Sequence, residues 1–80
     1  MNQFLAQIQP FAFNFAPQGW MPCNGQLQPV TQNTALYSLL GVRYGGDGNN
    51  TFGLPNLAPI GPNGPNYFIA VTGVYPPLGS

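Results

Sequence analysis

Few side chains in this sequence have the chemistry of a catalytic group. Its 80 residues contain one acid, Asp47, one base, Arg43, one cysteine, Cys23, and no histidine. General acid–base catalysis near neutral pH depends mostly on histidine and carboxylates, glycoside hydrolysis needs two carboxylates, and a nucleophilic serine or cysteine needs a neighbouring base. Cys23 has no positive neighbour closer in sequence than Arg43 to lower the pKa of its thiol. The sequence therefore predicts that the chain is not an enzyme.

The same shortage of charged and ligating side chains argues against several kinds of partner. A structural zinc ion takes four cysteine or histidine ligands, and one carboxylate is too few for calcium, so we expect no metal and no cofactor. A net charge of zero with one arginine cannot neutralise the phosphates of a nucleic acid. The apolar runs stop well short of the roughly 20 residues that span a membrane. Residues 1–7 also lack the basic start of a classical signal peptide.

The composition predicts a small folded chain that gains stability from neighbours. Eleven glycines and ten prolines predict many turns, while an aromatic content of 14% argues against disorder. A chain of this length forms one domain, residues 1–80, with a thin core, and such domains usually rely on disulfides, metals or oligomerisation. With the first two excluded, oligomerisation remains. Only 2% of the residues are charged, so little repulsion opposes the packing of copies.

The N-terminal segment Phe4–Phe15 alternates apolar and polar residues and changes phase at Pro10. Apolar residues occupy even positions before the proline and odd positions after it. Because proline has no N–H for a sheet ladder, the pattern predicts a bulge or bend between two short strands. Two separate strands joined across a turn are the alternative interpretation.

The next segments carry a loop and a hairpin signal. Residues 14–20 are predicted to form a loop. Asn24–Gly25 lies between the extended runs 21–23 and 26–28, and both residues tolerate the positive φ of a type I′ turn. This arrangement predicts a β-hairpin at Asn24–Gly25.

Residues 31–40 predict the single helix of the fold. Thr31 can cap its first turn and Gly41 can end it. Its apolar face consists of Ala35, Leu36, Leu39 and Leu40. Ten residues are marginally helical alone, so this face must dock against the rest of the domain.

The glycine-rich segment Tyr44–Asn50 is predicted to be a tight loop. It contains no basic residue and no Gly-Lys-Ser/Thr sequence follows it, which argues against phosphate binding. Arg43 and Asp47 are the one possible ion pair between side chains, and we expect it to be structural.

The C-terminal third combines a linker with a strongly apolar strand. Residues 58–66 are too rich in proline and glycine for regular structure. Residues 67–75 predict a closing strand that is apolar on both faces and must therefore be covered on both. We expect another copy of the chain to cover the second face or to extend the sheet edge. The predicted interface comprises Phe4, Ile8, Tyr67, Phe68, Ile69, Val71, Val74 and Tyr75.

Several short motifs occur together in one order along residues 11–57. They are Asn14–Pro17 with Gly19–Trp20, Cys23–Gln26, Asn33–Gly41, Tyr44–Gly48 and Thr51–Leu57. Their combination resembles the phage tail collar domain, and residues 66–70 look like the strand that closes such proteins. The resemblance implies a compact α+β module of tail fibres and tail tips, often trimeric and without catalytic activity.

The chain departs from that family at a few positions. Asn24 and Asn56 stand where relatives usually carry aspartate, and Ala58–Pro59 stands where they carry arginine. The chain also lacks the variable insertion that relatives place before the final strand. Because that insertion is a plausible location for receptor contacts, its absence favours a building block over an adhesin.

Two functions follow from these observations. The leading prediction is a structural subunit that self-assembles as a trimer, ring or filament, in contact with other tail or fibre proteins, outside the cell or in a virion or tail-like particle. The alternative is a receptor- or glycan-binding module whose exposed aromatic residues stack on sugars. The candidates for stacking are Trp20, Tyr37 and Tyr44, together with Tyr67 and Tyr75.

Overall fold

Five short strands and one α-helix make up the part of the chain that the computed structural model describes, residues 3–59, 61 and 64–77. In chain order they are β1 Ile8–Phe11, β2 Trp20–Pro22, β3 Leu27–Pro29, α1 Thr34–Leu40, β4 Thr51–Gly53 and β5 Asn66–Ala70, with a turn of 3-10 helix, Val30–Gln32, before α1. Two antiparallel sheets and one short helix confirm the predicted α+β class. Within these residues no helix is long and apolar enough to cross a bilayer.

The larger sheet has β5 at its centre, in the order β1-β5-β2. Both neighbours run antiparallel to it, so that Ile69 of β5 lies opposite Ile8 on one side and Met21 on the other. A central strand has both edges paired. The expected extension of the sheet by another copy therefore cannot take place at β5 itself.

The closing strand is also shorter than the predicted span of residues 67–75. It ends at Ala70, and the chain bends over residues 71–73. Gly73 has φ +144°, a value that favours glycine and interrupts an extended strand. Val74 then makes an isolated parallel bridge with Phe4.

The irregularity of the N-terminal segment lies at Ala6 and not at Pro10. The Ala6 N–H donates to the carbonyl of Ala70 at 2.9 Å, and the Ala70 N–H donates to the carbonyl of Gln7 at 2.9 Å, so two residues oppose one. Ala6 has φ +70°, which makes this a G1-type bulge with alanine in the place that glycine usually takes. Pro10 stays inside β1 because β1 is an edge strand, where proline is tolerated.

The smaller sheet pairs β3 with β4, which shows that the predicted hairpin at Asn24–Gly25 is wrong. The strands on either side of this turn belong to different sheets. Gly25 has a positive φ but Asn24 does not, so the turn is not type I′. The Asn24 side chain accepts the Gln26 N–H at 3.2 Å, and its backbone forms a bridge with Asn56. The side-chain bond turns the chain from one sheet into the other.

The helix begins three residues later than predicted. Residues 30–32 form the 3-10 turn, so Thr31 does not cap α1; the N-cap is Asn33, whose side chain donates to the Pro29 carbonyl at 3.2 Å. Gly41 ends the helix with φ +57°, as expected. Leu36 is buried, while Ala35 is exposed and does not belong to the apolar face.

The core lies where the two sheets and the helix meet. Its buried residues are Leu5, Cys23, Leu36, Phe52, Leu54 and Ile69. Phe52 lies in β4, Ile69 in β5 and Leu36 in α1, and the other three residues lie outside the strands and the helix. The core therefore holds β5, and with it the outer strands β1 and β2, in a fixed position.

Candidate functional site

Three phenylalanine rings stand in a stacked row where β1 ends, and we call Phe11, Phe13 and Phe15 the aromatic ridge. The ring centroids are 5.1 Å apart between the first two and 4.6 Å apart between the last two, with interplanar angles of 19° and 24°. The chain leaves β1 in a series of bends over residues 12–15. The Asn66 side chain donates to the Phe13 carbonyl at 3.2 Å. The backbone that carries the ridge is thereby tied to β5.

The base of the ridge is packed and its tip is free. The Phe11 ring meets Trp20 edge to face at 5.2 Å and lies 5.6 Å from the ring of Phe68. Exposure rises along the row, from half-buried Phe11 to 37% for Phe13 and 64% for Phe15. An exposed aromatic row of this kind is apolar area available for burial against another surface.

A groove of about 460 Å³ runs beside the ridge. Its walls are formed by Gln3, Gln7, Gln9, Phe11, Phe13, Pro17 and Trp20. A second concavity of about 420 Å³ shares Gln3, Pro17 and Trp20 with it. The side chains of both concavities are uncharged, so only stacking, apolar contact and neutral hydrogen bonds are available to an occupant.

The three glutamines of the groove are held by hydrogen bonds. Gln7 Nε2 donates to Gln9 Oε1 at 2.9 Å, and Gln7 Oε1 accepts the Phe4 N–H at 3.0 Å. Gln3 Nε2 donates to the Thr72 carbonyl at 3.1 Å. A glutamine amide has two donors and two acceptor positions, so these bonds leave hydrogen-bonding capacity at the groove.

Four of the eight predicted interface residues are buried or half-buried within the chain. Phe68 and Ile69 are buried, with 2% and 0% of their surface exposed, and Tyr67 and Val71 are half-buried. Ile69 packs in the core, and the rings of Phe11 and Phe13 lie against Phe68 on the other face. The chain itself covers Phe68 and Ile69, so these two residues are not free to contact another copy, while a contact at half-buried Tyr67 and Val71 stays a prediction.

The other predicted interface residues are Phe4, Ile8, Val74 and Tyr75, and all four are exposed. Tyr75 also has a contact within the chain, since its hydroxyl lies 2.6 Å from Ser38 Oγ. Ser38 gives its own proton to the Ala35 carbonyl, so Tyr75 is the donor in this bond. Tyr75 thus ties the C-terminal segment to α1, and a role of these four residues in assembly stays a prediction.

The three aromatic residues predicted to stack on a ligand are in different environments. Trp20 is the one that lines the groove. Tyr44 is exposed. Tyr37 packs 5.5 Å from Phe52 and donates its hydroxyl to the Gly48 carbonyl at 3.1 Å. Tyr37 therefore has a structural contact that holds the loop of residues 44–50 against α1.

That loop, which we call the Asp47 loop, is organised by one carboxylate. Asp47 Oδ1 accepts the backbone N–H groups of Thr51, Asn50 and Asn49 at 3.0, 2.8 and 2.9 Å. These bonds, the one from Thr51 first, lower the pKa of Asp47 to about 2. Arg43 is not among these partners, so the predicted ion pair is not what holds Asp47 in place.

Cys23 is a core residue. It lies among the buried apolar side chains with 3% of its surface exposed, and burial raises the pKa of its thiol to about 11. The thiol is therefore protonated and shielded near neutral pH, which is the environment of a structural cysteine.

The predicted site residues do not include the ridge tip or the glutamines. Phe13 and Phe15 follow the same two-residue alternation as a buried strand, so the pattern alone does not distinguish the two environments. The charge distribution indicates the character of this surface but not its position. The first charged side chain is Arg43, so the whole segment that carries the ridge and the groove is neutral.

Comparison with known families gives one finding that bears on this surface. The family model described as the phage tail collar domain matches residues 6–59, which is more than half of the chain. The matched range contains the aromatic ridge, Trp20, α1 and the Asp47 loop. No curated protein matches the chain.

Proposed function

This chain belongs to the phage tail collar domain family, and from that premise we propose that it assembles with copies of itself into an extracellular fibre, filament or tail-like appendage. The family makes the chain a structural module of phage tail fibres. Association with identical copies, and with other tail or fibre proteins, is the step that we add.

The observation that carries this proposal is the aromatic ridge. Its tip, Phe15, is 64% exposed in a segment without charged side chains. Burying a phenylalanine side chain contributes about 1.5–3 kcal/mol. A monomer leaves this contribution unused, whereas an assembly gains it once for every copy.

The distribution of charge supports the same function. Arg43 and Asp47 are the sole charged side chains, and neither lines the groove. Copies that meet at the ridge therefore bury no side-chain charge, and they avoid the desolvation cost that buried ions carry. We expect assembly to persist at high salt, because salt screens charges and does not weaken apolar contacts.

Negative-stain electron microscopy of the purified protein at neutral pH tests the proposal. We expect uniform rings, short rods or filaments, with the same morphology at low and high salt. Particles that stay at the size of one copy, whose longest axis is 36 Å, at every concentration would contradict it.

A second candidate function is favoured by the groove. Aromatic walls at Phe11, Phe13 and Trp20 beside three glutamine amides provide the stacking surfaces and neutral hydrogen bonds that recognise an uncharged sugar. Under this alternative the chain is a receptor- or glycan-binding module, and the groove is its site.

Fluorescence of Trp20, the one tryptophan of the chain, tests the alternative. Titration with neutral oligosaccharides changes the emission saturably if the groove binds sugar. Gln9→Ala should then abolish that response and leave folding unchanged. The alternative is ruled out if no neutral oligosaccharide in a broad panel changes the emission or binds the immobilised protein.

A further inference from the structure

The backbone hydrogen bonds of β1 show which of its groups face outward. The Ala70 N–H donates to the Gln7 carbonyl at 2.9 Å, and alternate residues of an antiparallel strand point their backbone groups toward the partner. The backbone groups of Gln7, Gln9 and Phe11 thus point toward β5. Those of Ile8 and Pro10 point away from it. Proline has no N–H. Ile8 is therefore the one residue of β1 with an outward donor.

The outer edge of β2 has no donor to offer. The Cys23 N–H donates to the Tyr67 carbonyl at 3.0 Å, which places Trp20 and Pro22 at the outward positions. Pro22 has no N–H, and the Trp20 N–H donates to the Pro17 carbonyl at 3.0 Å. An incoming strand would find no free N–H along β2.

The smaller sheet repeats the pattern. The Leu54 N–H donates to the Gln26 carbonyl at 3.0 Å, so Leu27 and Pro29 face outward from β3, and only Leu27 carries a donor. On the far side of this sheet, the N–H of Gly53 in β4 donates to the Gly45 carbonyl at 2.9 Å, so the Asp47 loop covers that edge.

Among the described residues, the three strands whose outer edge is not covered by the Asp47 loop, β1, β2 and β3, thus each carry a proline at an outward position: Pro10, Pro22 and Pro29. Proline at exposed edges is a means of preventing strands of different molecules from pairing. Sheet-to-sheet pairing needs a row of alternating donors and acceptors, and each edge here has at most one donor. Edge pairing is consequently a poor way for this fold to assemble.

We propose that copies of this chain associate through side chains, with Phe15 of one copy seated in the groove beside Trp20 of the next, and not by adding strands at the sheet edges. This inference rests on the proposed function, because it names the surface and the mode of the self-assembly. The groove, at about 460 Å³, accommodates an aromatic ring between its aromatic and proline walls.

The absence of charged side chains from both the groove and the ridge favours a second copy as the occupant. An ordinary small protein carries charge on roughly 25–35% of its surface residues, and packing such a surface into the neutral groove would leave charges buried without partners. A second copy presents a ridge with no charged side chain between Gln3 and Val42. The ridge tip can therefore enter the groove without burying a charged side chain that would need an oppositely charged partner.

Phe15→Ser tests the surface by sedimentation velocity over a range of concentrations. The ring is highly exposed, so the variant should fold normally; we expect its dissociation constant to rise at least about 30-fold. The matched control is Leu27→Ser, which changes a side chain of similar exposure, 57%, on the other sheet and should stay within about 2-fold of the wild type. Assembly of Phe15→Ser with unchanged affinity would overturn the inference.

Hydrogen exchange of the Ile8 amide tests the mode. It is the outward donor of β1, and we expect it to exchange equally fast in the monomer and in the assembly. A gain of 10-fold or more in protection on assembly would show strand addition and contradict the inference. If the wild type stays monomeric at every concentration, the proposed function fails as well. If the wild type assembles and Phe15→Ser assembles equally well, only the inference about the interface fails.

Discussion

The aromatic ridge and the Asp47 loop differ in where their interactions are completed. In the loop, one carboxylate accepts three backbone N–H groups, and the Tyr37 hydroxyl donates to the carbonyl of Gly48. At the ridge the rings stack on each other and then end at Phe15, which faces solvent. The loop satisfies itself, whereas the ridge leaves apolar surface that only another molecule can cover.

This difference indicates which part of a nearly neutral chain faces a partner. Both charged side chains lie in residues 43–47, on the side of the fold where local bonds complete the structure. The ridge belongs to the neutral segment before them. Separating the two lets the fold assemble by apolar contact while its loop is held by polar bonds within one copy.

The largest effect should separate the base of the ridge from its tip. Phe68→Ala removes a buried ring from beneath Phe11 and Phe13 and should cost about 3–5 kcal/mol of unfolding free energy. Phe15→Ala should change it by less than about 0.5 kcal/mol. Urea unfolding at the lowest workable concentration measures both without a contribution from assembly. Equal costs would show that the tip is packed within the chain.

The next effect concerns the approach of the Asp47 loop to β4. A Cβ on Gly46, at φ +91°, would overlap the Cα of Phe52, whereas a Cβ on Gly41 meets no atom within 4 Å. Gly41→Ala should cost about 1–3 kcal/mol through its backbone conformation alone, and Gly46→Ala should cost at least about 2 kcal/mol more. The comparison is made by thermal and urea unfolding. Similar costs for the two would mean that the loop does not pack on β4.

The carboxylate of the loop makes stability depend on acid. The pKa of Asp47 is lowered from 3.8 to about 2 by the N–H groups that it accepts, so its contribution is present above pH 4 and disappears as the pH falls toward 2. Asp47→Ala should lower the free energy of unfolding at neutral pH. Its free energy of unfolding should also change less between pH 4 and pH 2 than that of the wild type. Asp47→Asn keeps an acceptor oxygen without the charge, so its stability at neutral pH should lie between those of the wild type and Asp47→Ala. A wild-type curve that is flat from pH 5 to pH 2 would contradict the bonding.

The smallest effect tests the bulge at Ala6, just before β1, the strand that leads into the ridge. Ala6 has φ +70°, where glycine is free of strain and a β-branched residue is a severe outlier. Ala6→Gly should raise the unfolding free energy by about 0.5 kcal/mol, since relief of strain is partly offset by chain entropy. Ala6→Val should lower it by more than about 1 kcal/mol. Both free energies are measured by urea unfolding. An Ala6→Val variant that is more stable than Ala6→Gly would exclude the bulge.

Local features of this fold were predictable from the sequence, and long-range pairings were not. Gly41 ends the helix and the glycines of residues 44–50 form a loop, because both depend on near neighbours. The central place of β5 depends on pairing Ile69 with Ile8, from opposite ends of the chain. The turn at Asn24–Gly25 has a strong hairpin signal, yet Tyr67 takes the Cys23 N–H and draws the preceding strand into the other sheet.

The candidate site was predictable in character but not in position. The sequence limits charged side chains to Arg43 and Asp47, so it predicts that a surface elsewhere on the chain interacts through neutral groups. The position fails because alternation in Phe11, Phe13 and Phe15 is the same for a buried strand and for an exposed row. Phe68 and Ile69 show the reverse error. A strand that is apolar on both faces predicts an interface, but Phe11 and Phe13 of the same chain pack against Phe68, and Ile69 lies in the core.

The most direct test of self-assembly is the molar mass in solution by light scattering after size-exclusion chromatography, at low and at high salt. One copy weighs 8.5 kDa. We predict a mass that is a multiple of this value, or a filamentous fraction, and that does not fall as the salt concentration rises. A mass of 8.5 kDa at every concentration and salt condition would contradict the account.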